Sequence, residues 1–495
     1  ATLMAPYLRK FGCYTVPDFI GTRYGGNLVR ACSVFVLFIA SFTYVTAQIN
    51  ATGTIASRAL GIPFEAGVWV GLISILICSM LGGMRAVTWT QVAQYIVLIV
   101  AYLIPVFWIS SKVGGGVFPH LMLGDEVARL GELEQQFGLV KNSAADMKAA
   151  GVPGGLKYIS GTHSGVPEGG MAVWKYLSLA ICMMVGTASL PHILMRYFTT
   201  PSVRAARKSV AWSLFFIFLL YSSAPMLATL SKLALMDPNL PTGIIGKSIS
   251  DVQSIEWVQR WSEVKQVFIA DFNGDGILQL NEWFMRGDVV VLATPEVAGL
   301  PFVISGLVFA GGMAAAMSTA DGLVLAISNA LSHDIYYKII DPKADTRKRL
   351  LVARVLLVII GAAGAYIASF RLTSILGSVA WAFDFAMSGL FFPLVLGVWW
   401  KRATREGAIA GIVTGILSGL FYLLWVYPKF SVPIFGGVNE PFLGIDHLRF
   451  GLIGAPICLV VMVVVSLMTK EPSPTTQKMV DDLRIPTGKP ILGKQ

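Results

Sequence analysis

The twelve-residue segment from Asp271 to Glu282 places oxygen-bearing side chains at the positions that a calcium loop requires. The segment fits the EF-hand pattern D-x-[DN]-x-[DN]-G-x5-E at every constrained position. Gly276 permits the sharp turn in the middle of the loop. The predicted calcium ligands are Asp271, Asn273, Asp275, the carbonyl of Ile277, Gln279 and Glu282. A polar turn that matches the motif by chance is the alternative.

The residues before this loop predict an incoming helix. Trp257, Trp261, Val264 and Phe268 recur at helical spacing, so we expect an EF-hand helix-loop-helix over residues 255–287. Only three acids contribute, and the sequence contains no second loop of this kind. We therefore expect weak calcium affinity, roughly micromolar to millimolar, and a structural clip in preference to a sensor.

A second group of oxygens occurs within an apolar stretch. Ala315, Ser318 and Thr319 stand at positions i, i+3 and i+4, so one carbonyl and two hydroxyls share a helix face. Hard oxygens on one face suit a small cation such as sodium. The alternative is a close helix crossing in which both hydroxyls bond back to carbonyls of their own helix.

Asp321 and Asp384 are the only acids inside the apolar stretches. A carboxylate at membrane depth is costly and usually faces an ion path or a partner. We expect an ion path at both residues. The alternative is a structural pairing of each acid with a neighbouring helix. His192 is expected to be a buried hydrogen-bonding residue.

Glycine, a hydroxyl and a proline lie close together in another apolar stretch, at Gly186, Thr187 and Pro191. Proline removes a backbone hydrogen bond, and groups freed inside a membrane must line a cavity or be covered by protein. The pattern predicts a broken helix.

The elements that must position these groups are membrane spans. The 495 residues are 55% hydrophobic and only 13% charged, whereas a soluble domain has roughly 25% charged residues. We therefore expect an all-α polytopic membrane protein. Ten stretches are long enough to cross a bilayer, namely residues 31–51, 66–83, 91–110, 173–195, 209–231, 299–329, 350–370, 374–400, 407–427 and 451–469.

The loops between the spans alternate in charge. One set, which includes both chain ends, the loop around Arg85 and the tail 470–495, holds 23 Lys and Arg against 8 acids, and the other holds 14 against 18. The positive set is expected in the cytoplasm. The net charge of +10 is thus a topological signal, and no nucleic-acid partner is expected.

Two external loops are long, residues 111–172 and 232–298. The first has no clear periodicity, and we expect a partly ordered loop there. The chain contains no paired nucleophile and base, no phosphate loop and no HExxH motif, so enzyme chemistry is not expected. The sequence implies no protein partner.

Several motifs resemble the sodium:solute symporter family, most closely its cation/acetate symporter branch. Three carry the resemblance: the cytoplasmic motif from Tyr14 to Tyr24, the signature from Gly82 to Thr90, and the run from Gly186 to Arg196, which is the most similar to acetate permeases. Ser332 to Tyr336 closes a helix as in the family.

This resemblance implies a LeuT-like inverted-repeat fold over residues 1–469, in which two broken helices face the substrate. It implies that Ala315, Ser318 and Thr319 complete a sodium site. In the family pattern, the first residues of this chain correspond to the end of the third helix. We therefore expect the fold to be N-terminally incomplete. Gln91 stands where many relatives carry an aspartate.

The expected function is sodium-coupled symport of acetate or a similar short-chain monocarboxylate across the bilayer of a bacterial inner (plasma) membrane. Exposed amides around Gly186 and Thr187 would meet the carboxylate. A proton-coupled carrier is one alternative. A transport-inactive membrane protein with a calcium-binding module is the other.

Overall fold

The computed structural model of the chain describes residues 4–114, 116–137, 144–153, 156–158, 170–427, 440–485 and 491. The N-terminal part contains α1 (Ala5–Phe11), α2 (Val16–Tyr24), α3 (Asn27–Leu60) and α4 (Phe64–Val113). α2 begins as its sequence predicts, because the hydroxyl of Thr15 accepts a hydrogen bond from the Asp18 amide and Pro17 stands in the first turn.

The middle of the chain alternates between apolar helices and polar external segments. Its elements are α5 (Pro119–Phe137), α6 (Ala144–Ala149), β1 (Lys157–Tyr158), α7 (Gly170–Ser189), α8 (Pro191–Thr199), α9 (Val203–Tyr221) and α10 (Ala224–Met236). They are followed by α11 (Ile249–Ser254), α12 (Glu256–Glu263), β2 (Val267–Ile269), β3 (Trp283–Met285) and α13 (Val290–Val297).

The C-terminal part is helical throughout the described residues that lie in apolar stretches. Its elements are α14 (Phe302–Asn329), α15 (Thr346–Ser369), α16 (Ile375–Ala386), α17 (Phe392–Trp399), α18 (Arg405–Val426), α19 (Gly451–Met468) and α20 (Pro474–Arg484). Wider π-helical turns extend α14 through Ala330–Ile340 and join α16 to α17 through Met387–Phe391.

The ten predicted spans all correspond to apolar helices. Within the described residues, eight helical runs are long and apolar enough to cross a membrane, a bent pair formed by α7 and α8 adds a ninth, and the shorter apolar run Phe64–Met80 falls where the tenth was expected. The predicted loop around Arg85 differs, because the backbone of α4 stays helical there. The side chains of residues 81–86, which belong to the signature at Gly82, lie outside the described part.

The first external segment contains a helix that the sequence did not indicate. Residues 111–172 were expected to form a partly ordered loop, and α5 fills nineteen of them. Contacts with α10 fix this helix: Lys232 donates to Glu134 across 2.6 Å, and Arg129 pairs with Asp237. Leu130 is fully buried in the same interface. Tertiary contacts therefore stabilise a helix that the periodicity of its sequence does not predict.

The second external segment forms a small module on the membrane helices, and the first external segment contributes one strand, β1, to its sheet. β1, β3 and β2 make a three-stranded antiparallel sheet, in which Phe268 pairs with Phe284 and Lys157 with Met285. Trp261 and Trp283 are fully buried below it. We call residues 237–298 the external module.

The external module is attached to α3 and α14 by one polar contact. Glu296 accepts hydrogen bonds from Arg58 at the end of α3, across 2.8 Å, and from the Trp261 indole, across 2.6 Å. The Arg58 guanidinium lies 5.0 Å from the Trp261 ring centre and 5.8 Å from that of Phe309 on α14. The module is therefore positioned at the N-terminal end of α14.

Candidate functional site

The predicted broken helix is confirmed. α7 ends at Ser189, Leu190 is extended, and α8 begins at Pro191 with its axis bent by 41°. Proline at the first helical position lacks the N–H that would have continued the hydrogen-bond ladder of α7. The chain therefore changes direction within an apolar span.

Gly186 and Thr187 lie one turn before this break, still within α7. A side chain at Gly186 would meet the Cβ of Phe383 at 2.5 Å, so the glycine permits a close crossing of α7 and α16. The Thr187 hydroxyl donates back to the carbonyl of Met183 across 2.6 Å. Their own amides are helical, and the break lies at Leu190.

Aromatic side chains surround the start of α8. His192 is 8% exposed, and its ring lies 5.6 Å from that of Tyr44 on α3. Tyr44 also contacts Phe383, at 5.7 Å between ring centres. His192 is buried as expected, but its Nδ1 has no hydrogen-bond partner among the described residues. A polar atom thus faces an otherwise apolar surrounding at the break.

Ala315, Ser318 and Thr319 share one face of α14, as their spacing predicts. Ser318 donates to the carbonyl of Ala315 across 2.9 Å, and Thr319 donates to the same oxygen across 3.3 Å. This is the bonding of the alternative interpretation. It uses the hydroxyl hydrogens and leaves the lone pairs of both hydroxyls available to a cation. All three residues are partly exposed.

Gln91 connects this face to the broken helix, which the sequence did not indicate. Its amide nitrogen donates to the carbonyl of Ser318 across 2.6 Å, and its amide oxygen accepts from Arg196 on α8 across 2.5 Å. Gly322 leaves room for the guanidinium, since a Cβ there would lie 3.0 Å from Arg196 Nη2. Residues of α4, α8 and α14 therefore meet in one polar contact.

The two intramembrane acids have different surroundings. Asp321 is fully buried, accepts a hydrogen bond from Ser79 across 2.8 Å, and has a second oxygen without a partner among the described residues. It lies one turn beyond Ser318. Asp384, also fully buried, faces the backbone at the start of α19, where a Cβ on Gly451 would lie 2.7 Å from its Oδ1. Asp321 is close to the other candidate residues, and Asp384 belongs to a separate helix contact.

A buried ionic network, which the sequence did not single out as a site, joins α2, α3 and the end of α14. Arg30 binds Asp18 across 2.7 Å and Asp334 across 2.8 Å. Asp334 is fully buried and also accepts from Thr15 across 2.6 Å. The guanidinium bridges both carboxylates, so the network is occupied by its own cation.

Hydrogen bonds within the twelve-residue loop fix its conformation. The amides of Gly274 and Gly276 donate to Asp271 across 2.7 and 3.1 Å. Both glycines have positive φ angles, 73° and 71°, which other residues rarely adopt. Asp271, Asn273 and Asp275 are exposed at the surface of the loop.

Glu282 accepts hydrogen bonds from backbone amides of the loop. It is 1% exposed and accepts from the amides of Phe272 and Gln279, each across 2.9 Å. The Ile277 amide donates to Asp275 across 2.8 Å and lowers the pKa of that carboxyl. The carboxylates of Glu282 and Asp275 therefore accept hydrogen bonds from groups of the loop itself.

The flanks of the loop differ from a helix-loop-helix. α12 ends at Glu263, and the antiparallel strands β2 and β3 lead into and out of the loop. Leu278 bonds the segment before α11, with its amide donating to Lys247 and its carbonyl accepting from Gly246, both across 2.8 Å. Phe268, which the spacing placed on the incoming helix, pairs with Phe284 in the sheet, and this pairing overrides the helical pattern.

These features together define a multi-pass membrane transporter with an external module. The sequence profile of the Sodium:solute symporter family matches residues 1–244 and 290–415, and the chain belongs to this family. Residues 245–289, which include the whole twelve-residue loop, lie between the two matched regions.

Known proteins agree with this assignment. An uncharacterized symporter of Cupriavidus necator is 38% identical, over 98% of this chain and 82% of the relative. A monocarboxylic acid transporter of Corynebacterium glutamicum is 25% identical, over 92% of this chain and 74% of the relative. The solved structure of a substrate-bound, outward-open Na+-coupled sialic acid symporter superposes with a TM-score of 0.61 at 14% identity, covering 95% of this chain and 81% of that one. The all-α polytopic, LeuT-like fold is therefore confirmed.

Proposed function

We propose that the protein is a sodium-coupled symporter of acetate or a similar short-chain monocarboxylate. The main support is the contact in which Gln91 joins the sodium-candidate face of α14 to the broken helix. Symport requires that ion occupancy and substrate occupancy favour the same conformation. A polar link between the two regions supplies a physical route for that coupling. The similarity to a monocarboxylic acid transporter supports the substrate class.

Sodium would bind at Ala315, Ser318 and Thr319. The two hydroxyls keep their lone pairs free while they donate to the Ala315 carbonyl. A sodium ion bound there would hold α14 close to α4 and α8. The carboxylate would bind near Gly186 and Thr187, where the positive end of α8 begins beyond Leu190 and the Tyr44 ring lies against those of His192 and Phe383.

We also propose that the twelve-residue loop binds calcium. The ligands would be those of the expected motif, namely Asp271, Asn273, Asp275, the Ile277 carbonyl, Gln279 and Glu282. Only the elements that flank the loop differ from that motif. Since the loop lies between α10 and α14, calcium would stiffen the external module at the N-terminal end of α14. Its role would be structural.

The charge asymmetry of the loops supports an orientation with both described ends of the chain in the cytoplasm and the calcium loop outside. In a bacterial inner membrane, the loop would then face the periplasm or the medium. Extracellular calcium modules typically bind in roughly the 10⁻⁴ to 10⁻³ M range, which suits that location.

Uptake by the purified protein in proteoliposomes tests this function. An inward sodium gradient should drive accumulation of labelled acetate, and replacement of sodium by choline should abolish it. An excess of unlabelled propionate should compete, whereas an amine of similar size should not. Uptake that is indifferent to sodium would contradict the proposal.

Proton coupling is a second candidate, because Asp321 is buried one turn from Ser318 with one oxygen unpartnered among the described residues. Uptake driven by a proton gradient without sodium, and lost in Asp321→Asn, would favour it. Calcium binding by a folded protein without any uptake would instead favour the transport-inactive alternative.

A further inference from the structure

A cavity of about 450 Å³ lies at the C-terminal end of the α14 helical run. Its polar and aromatic lining includes Tyr14, Ser332, His333, Tyr337, Thr346 and Arg349. Thirty-one residues of helix separate Phe302 from His333, about 45 Å at 1.5 Å per residue. The cavity is therefore at the opposite end of α14 from the external module.

Two nitrogen atoms of residues that line the cavity make no hydrogen bond within the described part of the chain. Arg349 Nε and His333 Nε2 are buried and have no hydrogen-bond partner among the described residues. Arg349 stacks on the Tyr337 ring at 4.3 Å and donates from Nη2 to the Thr346 hydroxyl across 3.1 Å. It forms no ion pair within the described part of the chain. A buried guanidinium edge without an acceptor costs free energy unless a ligand supplies one.

The rings around His333 hold it in this position. Its centre lies 5.5 Å from the Tyr14 ring and 5.7 Å from the Tyr337 ring. The Tyr337 ring therefore contacts both the His333 imidazole and the Arg349 guanidinium and orients them. Such rigid donors lose little conformational entropy when an acceptor binds.

The surrounding charge favours an anion. Residues 331–354 contain six Lys and Arg against three acids, and one of those acids, Asp334, is already bound to Arg30. A metal cation is disfavoured although Asp18, His333 and Asp334 have ligand atoms within 4.8 Å of one another. The guanidinium of Arg30 already lies between the two carboxylates.

The number of donors favours phosphate. Guanidinium and imidazole N–H groups and the hydroxyls of Ser332 and Thr346 border one cavity, and a phosphate offers three acceptor oxygens where a carboxylate offers two. The cavity also lies where the polar segment before α15 meets the exposed apolar residues Leu350 and Leu351. This is the depth at which lipid headgroups meet the hydrocarbon core.

We propose that this cavity binds a phosphate group, supplied by an anionic lipid headgroup or by a soluble phosphate. Bound phosphate would connect Arg349 on α15 to His333, the neighbour of Asp334 in the ionic network. It would therefore hold the end of α14 against α15 and stabilise this arrangement of the helices. The proposal does not depend on which substrate is carried.

Thermal unfolding of the purified full chain tests the site. In neutral detergent, inorganic phosphate is titrated at constant ionic strength, and in parallel the protein is placed in nanodiscs of phosphatidylcholine with or without phosphatidylglycerol. Arg349→Gln and His333→Gln remove cavity donors. Arg347→Gln makes the same charge change as the first variant at an exposed position two residues away.

Stabilisation by inorganic phosphate that weakens about tenfold in Arg349→Gln but not in Arg347→Gln would support a soluble ligand. Stabilisation by phosphatidylglycerol alone, with the same dependence on Arg349, would support a lipid headgroup. His333→Gln should weaken either response, which keeps the test decisive if Arg349→Gln does not fold. Equal responses of the Arg349 and Arg347 variants, or no stabilisation by either source, would overturn the proposal.

Discussion

The twelve-residue loop proposed to bind calcium and the proposed membrane site assemble their polar groups in different ways. All six proposed loop ligands come from twelve consecutive residues, and backbone amides of the loop donate to the carboxylates of Asp271, Asp275 and Glu282. The contact at Gln91 instead joins residues that are 105 and 227 positions apart in the sequence. A local site can thus be recognised from spacing alone, whereas a distributed site depends on how whole helices pack.

The same contrast appears in what surrounds each site. In the loop, Asp271 and Asp275 are exposed, whereas Glu282 is buried. The membrane groups are buried or partly buried among apolar helices, where each unpaired polar atom costs more. We therefore expect substitutions in the membrane region to affect stability and transport together, and substitutions in the loop to affect the external module alone.

The largest effect is expected from Arg30→Met. It leaves Asp18 and Asp334 without their cation in a buried setting, which typically costs about 3–5 kcal/mol. Thermal unfolding in detergent should show a large fall in the midpoint. Lys401→Met removes a pair in which both side chains are half exposed, and should change stability by about 1 kcal/mol or less. Equal effects of the two variants would mean that the buried network is not important for stability.

Calcium should stabilise the external module and leave the membrane helices unchanged. At about 100 times its dissociation constant, calcium would contribute about 2.7 kcal/mol. The buried Trp261 and Trp283 provide a fluorescence signal for unfolding of this module. The double variant Asp271→Ala with Glu282→Ala should lose the calcium response.

A matched control for this test is available in the same module. Asp251→Ala with Glu263→Ala also removes two acids, both exposed and outside the loop, and it should keep the response to calcium. If it loses the response as well, general negative charge and not the loop geometry would bind the ion.

Gln91→Leu should weaken coupling between the two parts of the membrane site. The variant removes the acceptor of Arg196 and the donor to the Ser318 carbonyl. We expect the sodium concentration that gives half-maximal uptake to rise about tenfold, as for loss of a hydrogen bond to a charged group. Gln253→Leu, at an exposed position of α11, should leave this concentration unchanged. An unaffected Gln91→Leu protein would remove Gln91 from the coupling.

The smallest effect is expected from pH. The Ile277 amide lowers the pKa of Asp275, so this carboxyl stays ionised above its usual pKa of about 3.9 and loses its charge only as the pH falls through the lowered value. Calcium titrations at pH 8 and pH 5 should therefore show no loss of binding from Asp275. A fall of about tenfold in affinity that Asp275→Asn removes would contradict this assignment.

Much of the fold could be predicted, because the membrane imposes length and polarity on each helix. The ten spans and the break before Pro191 follow from hydropathy and from the missing N–H of proline. The helix α5 could not be predicted, since it is stabilised by ion pairs with α10. The strands beside the calcium loop were missed because Trp257 and Phe268 also fit a helical period.

The chemistry of the sites was predicted only where it is local. The spacing of Ala315, Ser318 and Thr319 established a shared face, but not the bridge from Gln91 to Arg196. The network of Arg30 had a partial signal, because Asp18 is a polar residue at the start of a capped helix. Its pairing with Asp334, 304 positions from Arg30, depends on tertiary structure.

The proposed sodium site on the hydroxyl face of α14 can be tested by the sodium dependence of acetate uptake in Ser318→Ala. Ser328→Ala is the matched control, because this hydroxyl on the same helix also bonds back, to the Leu325 carbonyl across 3.3 Å. We predict that Ser318→Ala raises the half-saturating sodium concentration about tenfold or abolishes uptake, while Ser328→Ala resembles the unchanged protein. Identical sodium dependence in the unchanged protein and in Ser318→Ala would contradict the account.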